Sequence, residues 1–285
     1  MSLLPARGPV LSAMSANLRY PASDGRPWPA RMAAWGQLIT SEAPHVIGTQ
    51  EGELEQLEAL ISRLPARYVW TGEGREGGNA GEFTAVVFDS QRLDAESVEV
   101  SWISADPEAP GSRAPGAAHP RTLTRIDFRD RVAGARLRLL NTHLDHRSEA
   151  ARPLAVGMLL EAAREGLAAG AEVLVTGDFN VSQEHEVHAA LTGPDSPLSD
   201  AVVSVRHTPG APALNLDADT FHRYRGLRRG GTRIDWVLHS AGLRCTGAAV
   251  NPAAPGGTLP SDHFPVQALF SWQERAHEEP AQEDQ

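Results

Sequence analysis

EVLVTGDFN, residues 172–180, is an apolar run that breaks into glycine, acid, aromatic and amide. Val173, Leu174 and Val175 read as a strand buried on both faces, where the apolar pattern is continuous rather than alternating. The strand delivers Asp178 and Asn180 two residues apart, with Gly177 giving the backbone room, and strand exits are where α/β proteins place reactive groups. An Asx turn capping a following helix would use the same residues. The neighbouring segments decide between the two readings.

Upstream, apolar residues at Leu154, Met158, Leu159, Ala162, Ala163 and Leu167 predict a helix over 148–168 that Gly170 ends. Before it, RLRLLNTHLDH (136–146) is a second buried strand ending in polar residues: Asn141, His143, Asp145 and His146. Downstream, RIDWVLHS (233–240) carries Asp235 inside an otherwise apolar strand, and a buried carboxylate needs a cation, a proton or hydrogen bonds to offset desolvation. SDHFPV (261–266) sets Asp262 and His263 just before the last strand. HVIGTQE brings Glu51 to the end of a short strand, and VLSAMSANL ends in Asn17. Six polar clusters at strand ends exceed what solvation requires. Their carboxylate and amide oxygens suit a hard cation, Mg²⁺ or Mn²⁺.

The N-terminal segments alternate strand, helix, strand, helix: 10–18, 31–42, 45–50 and 53–64. The middle is strand-rich, at 68–70, 83–89, 92–100, 122–128 and 136–144, and the last third adds strands at 233–240 and 264–272. Three Gly/Pro-rich stretches, 71–82, 105–120 and 251–262, read as surface loops. No internal repeat or dividing linker is evident, so a single domain over 10–272 is expected. The polar, acidic 273–285 is expected to be a disordered tail.

At 285 residues and 41% hydrophobic, the chain can bury a large core. The single cysteine, Cys245, excludes an internal disulfide framework, and the N-terminus lacks the pattern of a signal peptide. No apolar run is long enough for a bilayer, so a cytoplasmic protein without membrane insertion is expected. A net charge of −10 argues against broad electrostatic capture of nucleic acid and favours a small phosphorylated substrate. There are eleven histidines but no HExxH or CxxC motif for zinc, and His185 and His188 read as exposed helix residues. Oligomeric state is not legible.

In order, SANLRY, GTQE, GEFTAVVFD, NTHLDH, TGDFN, TFH, RIDWVL and SDHFPV resemble the motif series of the endonuclease/exonuclease/phosphatase superfamily, over about residues 10–272. The resemblance implies a four-layer α/β sandwich of the DNase-I-like type, with two central mixed β-sheets flanked by helices and the active site at one end of the sheets. It also implies a metal-dependent hydrolase of phosphate esters. NTHLDHRSEAAR resembles a bacterial subgroup that includes sugar-phosphate phosphatases.

Carried over by motif, Glu51 resembles the principal Mg²⁺ ligand, with Asn17 beside it and Asp262 as a further direct or water-mediated ligand. Asp178 resembles the carboxylate that orients or deprotonates the attacking water, and Asn180 the amide that bonds the phosphate or that nucleophile. His263 resembles the phosphoryl-binding histidine, held in its protonated form by Asp235, and His143 a donor to the same group. Asn141 supports the turn at His143 and, with Arg121 and His222, is a candidate substrate contact. Arg121 reads equally as a surface arginine, His222 as a loop histidine, and Asp145 and His146 as residues shaping a loop.

A nuclease would share this catalytic set, and RYRGLRRGGTR (223–233) is a basic patch able to track a phosphate backbone or hold a small anion. A catalytically silent binding module would be expected to lose acids or the final histidine; this chain keeps them.

Overall fold

The computed structural model describes residues 2–6 and 8–273. The first sheet has the order β10 (Ala213–Leu214), β12 (Leu243–Val250), β13 (Val266–Trp272), β1 (Leu11–Asn17), β2 (Val46–Gln50), β4 (Val86–Asp89) and β3 (Tyr68–Thr71). The second has the order β5 (Leu93–Trp102), β6 (Thr122–Asp130), β7 (Arg136–His143), β8 (Glu172–Asp178), β11 (Asp235–Ser240) and β9 (Leu198–Asp200). Each is mixed: β1·β2 and β7·β8 are parallel, whereas β1·β13 and β8·β11 are antiparallel.

Alternation along β1 shows how the layers assemble. Leu11 and Ala13 join Leu139, Leu174 and Val237 of the second sheet in the core between the sheets. Met14 and Ala16 face the other way, onto Met32, Trp35 and Ile39 of α1 (Trp28–Glu42) and Leu57 and Leu60 of α2 (Leu54–Ile61). The second sheet repeats the arrangement: Val173, Val175 and Trp236 pack on Ala155, Leu159 and Ala163 of α3 (Ala151–Ala168) and on Val187 and Leu191 of α4 (Glu186–Thr192). This is the expected four-layer α/β sandwich. Burial on both faces explains the unbroken apolar runs, because each side of a strand meets an apolar layer.

Towards the carboxyl ends of the parallel strands the core between the sheets turns polar. Asn141 Nδ2 donates to Thr49 O (2.8 Å) and Ala85 O (3.1 Å) of the first sheet. Its Oδ1 accepts from Gln50 Nε2 (2.9 Å) and Thr176 Oγ1 (3.0 Å). The sheets approach this closely because residue 48 is glycine: a Cβ there would lie 2.0 Å from Thr176 Oγ1 and 2.5 Å from Asn141 Oδ1.

Four details differ from the sequence reading. The helix expected from 148 starts at Ala151, because Asp145 Oδ1 accepts from the backbone N–H groups of Arg147 and Ser148 and holds 145–148 in a turn. Asp235 opens β11 rather than lying inside a strand, which puts it at the same end of the sheet as the carboxyl terminus of its antiparallel neighbour β8. β12 carried no apolar signal because its interior is Cys245, Gly247, Ala248 and Ala249, with a bulge between Cys245 and Gly247. Finally, His185 and His188 are half-buried rather than exposed. His185 Nδ1 accepts from Val187 N at the start of α4, and His188 Nε2 lies 2.9 Å from Asp200 Oδ2 with its ring edge-on to Trp236. The acidic segment from 274 onward lies outside the described residues. Among those described, no helix is long and apolar enough to cross a membrane.

Candidate active site

Strand register builds one wall of the site. In β7·β8 His143 pairs with Asp178, and in β8·β11 Asp178 pairs with Asp235, so the three side chains stand in a row on adjacent strands, facing the first sheet. The first sheet answers with Asn17 at the end of β1 and Glu51 just beyond β2. Glu51 adopts a positive φ of 62°, a conformation costly for a residue with a side chain, and by it turns its carboxylate into the gap between the sheets.

The side chains converge there. Asn17 Nδ2 donates to Glu51 Oε1 (2.8 Å) and to Asp178 Oδ2 (3.0 Å), drawing one carboxylate from each sheet onto one point. Asp178 Oδ1 accepts from Asn180 N (2.9 Å), and Asn180, itself at φ 55°, donates its Nδ2 to Leu144 O. Tyr20 N donates to Glu51 Oε2 (3.1 Å). His263 Nδ1 lies 2.9 Å from Asp235 Oδ2, and its Nε2 points towards Asp178 Oδ2 at 3.9 Å. His143 Nε2 approaches that oxygen from the other side, at 3.6 Å.

The electrostatics divide the histidines. Burial works against a charge on His263, but Asp235 and Asp178 more than offset it and lift its pKa to about 10, so this ring is an imidazolium. Burial also depresses His143, and Arg121 adds to that, so it stays neutral. Asp178 is pushed up to about 7, first by burial and then by Asp235.

Ligand atoms of Glu51, Asp178 and His263 all lie within 4.8 Å of one another. A protonated imidazole cannot ligate a metal, so a cation here falls to the two carboxylates; Asn17, expected as a ligand beside them, presents Nδ2 to both while its Oδ1 accepts from Arg19 N (2.8 Å), so it positions the acids instead. That oxygen-rich set fits a hard divalent ion, and its positive charge would restore Asp178 to the ionised form.

These groups lie in a cleft of about 860 Å³, which also takes in Arg19, Arg75, Glu82, Arg121 and Phe221. Arg121 is buried beside His143, with its Nε 3.7 Å from Asp145 Oδ2, rather than on the surface. Among the described residues that Nε has no hydrogen-bond partner. Asp145 and His146 serve the loop and Arg121: His146 Nδ1 is 3.4 Å from Arg121 Nη2.

Three expected contacts are placed otherwise. Asn141 does not reach the cleft, because its amide is consumed in joining the sheets. His222 is stacked on Phe264 with ring centroids 3.7 Å apart and lines a neighbouring basin instead. Asp262 stands outside the Glu51–Asp178–His263 cluster because its Oδ2 is ion-paired with Arg19, which also holds Asp24 at 2.7 Å. Sequence reading assigned nothing to Arg19, Arg75 or Glu82. Arg19 and Glu82 lie in the SANLRY and GEFTAVVFD motifs, which were the available signal.

A family model described as the Endonuclease/Exonuclease/phosphatase family matches residues 14–263. The chain belongs to this family. Its members are phosphoesterase hydrolases, and the chain is accordingly an enzyme of that class, with a carboxylate and histidine cluster able to hold a divalent cation. No curated protein sequence matches. Among solved structures, an endonuclease/exonuclease/phosphatase from Bacteroides vulgatus superposes with a TM-score of 0.82 at 24% identity, covering 93% of this chain and 99% of that one. A mannosyl-6-phosphatase of Bacteroides thetaiotaomicron gives 0.82 at 26% identity, over 92% and 100%. The human Nocturnin catalytic domain gives 0.70 at 18% identity, over 93% and 94%, a likeness of fold.

Proposed function

We propose that the protein is a Mg²⁺-dependent phosphomonoesterase acting on a small, sugar-phosphate-like substrate. The observation that carries this is the convergence of the Glu51 and Asp178 carboxylates beside the His263–Asp235 pair, with buried Arg121 and neutral His143 across the same cleft. Similarity to a mannosyl-6-phosphatase supports the substrate class, and buried, unpaired Cys245 suits a cytoplasmic setting.

Phosphoryl transfer needs an in-line nucleophile and positive charge around the equatorial oxygens, with little covalent work by the protein. Asp178 Oδ2 orients the attacking water and accepts its proton, while Asn180 N fixes the other oxygen of the carboxylate. Asn180 stays within reach of the water or the phosphate through its amide. The His263 imidazolium, held by Asp235, donates from Nε2 to a phosphoryl oxygen. Neutral His143 adds a hydrogen bond, and the fork of Arg121 suits two oxygens of the same group. Glu51 and Asp178, held together by Asn17 Nδ2, would hold Mg²⁺, or Mn²⁺, which would supply further charge against the phosphoryl oxygens, and Asp262 holds Arg19 at the rim.

A nuclease is the second reading, favoured by Arg223, Arg225 and Arg228 next to the cleft; Arg233 of the same stretch is buried on Asp200 and takes no part. Purified protein would be screened with Mg²⁺ and Mn²⁺ against sugar phosphates, inositol phosphates, nucleotides and nucleic acids, with Asp178→Asn as control. Release of inorganic phosphate from sugar phosphates, abolished in the control, is the expected result. Robust cleavage of plasmid or abasic DNA at low enzyme concentration overturns it.

A further inference from the structure

The cleft does not end at Phe221. Phe221, Arg223 and Ile234 line both the catalytic cleft and an adjoining basin of about 300 Å³, whose remaining wall includes Arg225, Arg228 and Asp219. The chain contains no lysine and carries a net charge of −10, and its other arginines are for the most part neutralised by neighbouring acids. Among the described residues, Arg223, Arg225 and Arg228 have no carboxylate within ion-pair distance, whereas Arg229 next to them pairs with Asp217 at 3.6 Å. Asp219 is committed to its own loop, with Oδ1 accepting from Thr232 N at 2.7 Å.

The basin is tied mechanically to the catalytic histidine. The Phe221 and His263 rings lie 4.7 Å apart, and the Arg223 guanidinium rests against the Phe221 ring, 4.8 Å from its centre. His222 N and Arg223 N both donate to Asp262 O, at 2.9 and 3.1 Å. Arg223 and Tyr224 are consecutive non-glycine residues with positive φ, 50° and 58°, a strained turn that the surroundings must hold in place. The unneutralised Arg223 guanidinium thus shares the Phe221 ring with the His263 imidazole, and Arg225 and Arg228 line the same basin.

We propose that this basin is a second anion subsite, so that the substrate is a small phosphomonoester bearing a further phosphate or carboxylate. This rests on the reading of the first site as a phosphomonoesterase. Arg225 and Arg228 bind the distal group, and Arg223 bridges the two subsites. The basin's volume and the protein's acidic balance favour a compact molecule with two anionic groups over a polyanion.

The test uses the full chain with Mg²⁺. Fructose 6-phosphate and fructose 1,6-bisphosphate are compared as inhibitors of p-nitrophenyl phosphate hydrolysis and as stabilisers in thermal melting, in the parent and in Arg225→Gln/Arg228→Gln. The bisphosphate is expected to bind more than about tenfold tighter than the monophosphate in the parent, the scale of one or two hydrogen bonds to a charged group. In the double variant that ratio should fall to near one. Equal binding in the parent, or a ratio that survives in the variant, overturns the proposal. So does an eight-nucleotide single-stranded DNA that outcompetes the bisphosphate only when the arginines are present, which would make the basin a nucleic-acid track. If p-nitrophenyl phosphate is not hydrolysed, the phosphomonoesterase reading fails, while the melting ratio still decides the subsite.

Discussion

Asp235 stands directly opposite Asp178 in the antiparallel pair of β11 and β8, and the His263 imidazole lies between them, Nδ1 at 2.9 Å from the first and Nε2 at 3.9 Å from the second. Like charges opposite one another on adjacent strands repel. Here the imidazolium separates them, which is why the His263 pKa rises; the ring favours an ionised Asp178, but burial first and then Asp235 outweigh it and hold that carboxyl up.

His263 and Asp235 are therefore expected to act as a unit. Asp235→Asn and His263→Ala should each lower kcat by about a hundredfold or more, the scale of a lost electrostatic or acid contact. The double variant should be little worse than the poorer single one, since the carboxylate acts through the ring. Steady-state kinetics on folded variants check this; additive losses would show two independent roles.

Metal dependence should be governed by pH. The folded pKa of Asp178, about 7, lies above its unfolded value, so without metal its contribution to stability falls as pH rises from about 4 through 7. A cation needs the ionised form, so the rise in Tm on adding Mg²⁺ should grow as pH increases through 7. His263 acts with the same sign at higher pH: its raised pKa stabilises the fold below the unfolded value of about 6.5, and that stabilisation is lost as pH climbs through about 10. Melting curves at pH 5.5, 7 and 8.5, with EDTA or Mg²⁺, test the first effect. A metal shift independent of pH contradicts it.

Glu51→Ala should abolish the Mg²⁺-induced rise in Tm while leaving the metal-free Tm almost unchanged. Glu51 is only half-buried and sits at a positive φ, so its removal forfeits little packing. Differential scanning fluorimetry with and without Mg²⁺ reads this directly, and an unaltered shift removes Glu51 from the metal site.

Gly48→Ala should cost about 1–3 kcal/mol or more, because the new methyl overlaps Thr176 and Asn141 and the sheets must separate. Asn141→Ala should cost a similar amount by removing the acceptor of Thr176 Oγ1 and Gln50 Nε2 and the side-chain donor to Thr49 O from a buried network. Urea unfolding measures both. If Asn141→Ala instead raised KM strongly at unchanged stability, Asn141 would be a substrate contact after all.

The sequence alone marked the buried strands and the polar residues that end them, and the resemblance of its motif series to a family implied the layers. Each strand buried on both faces shows as an unbroken apolar run, and a polar residue ending such a run, as at Asn17, His143 and Asp178, is too costly to bury without a purpose, so both signals are local. The tertiary structure decided which of these residues meet. Strand pairing over long separations sets His143, Asp178 and Asp235 in one row, and the absence of a side chain at Gly48 lets the opposite sheet bring Asn17 and Glu51 to them. The same long-range geometry drew Asn141 into the floor, gave Asp262 to Arg19, stacked His222 on Phe264 and assembled β12 from small residues. A chain segment carries no record of the neighbour that will consume its hydrogen bonds, and that is why these four assignments became legible only in the fold.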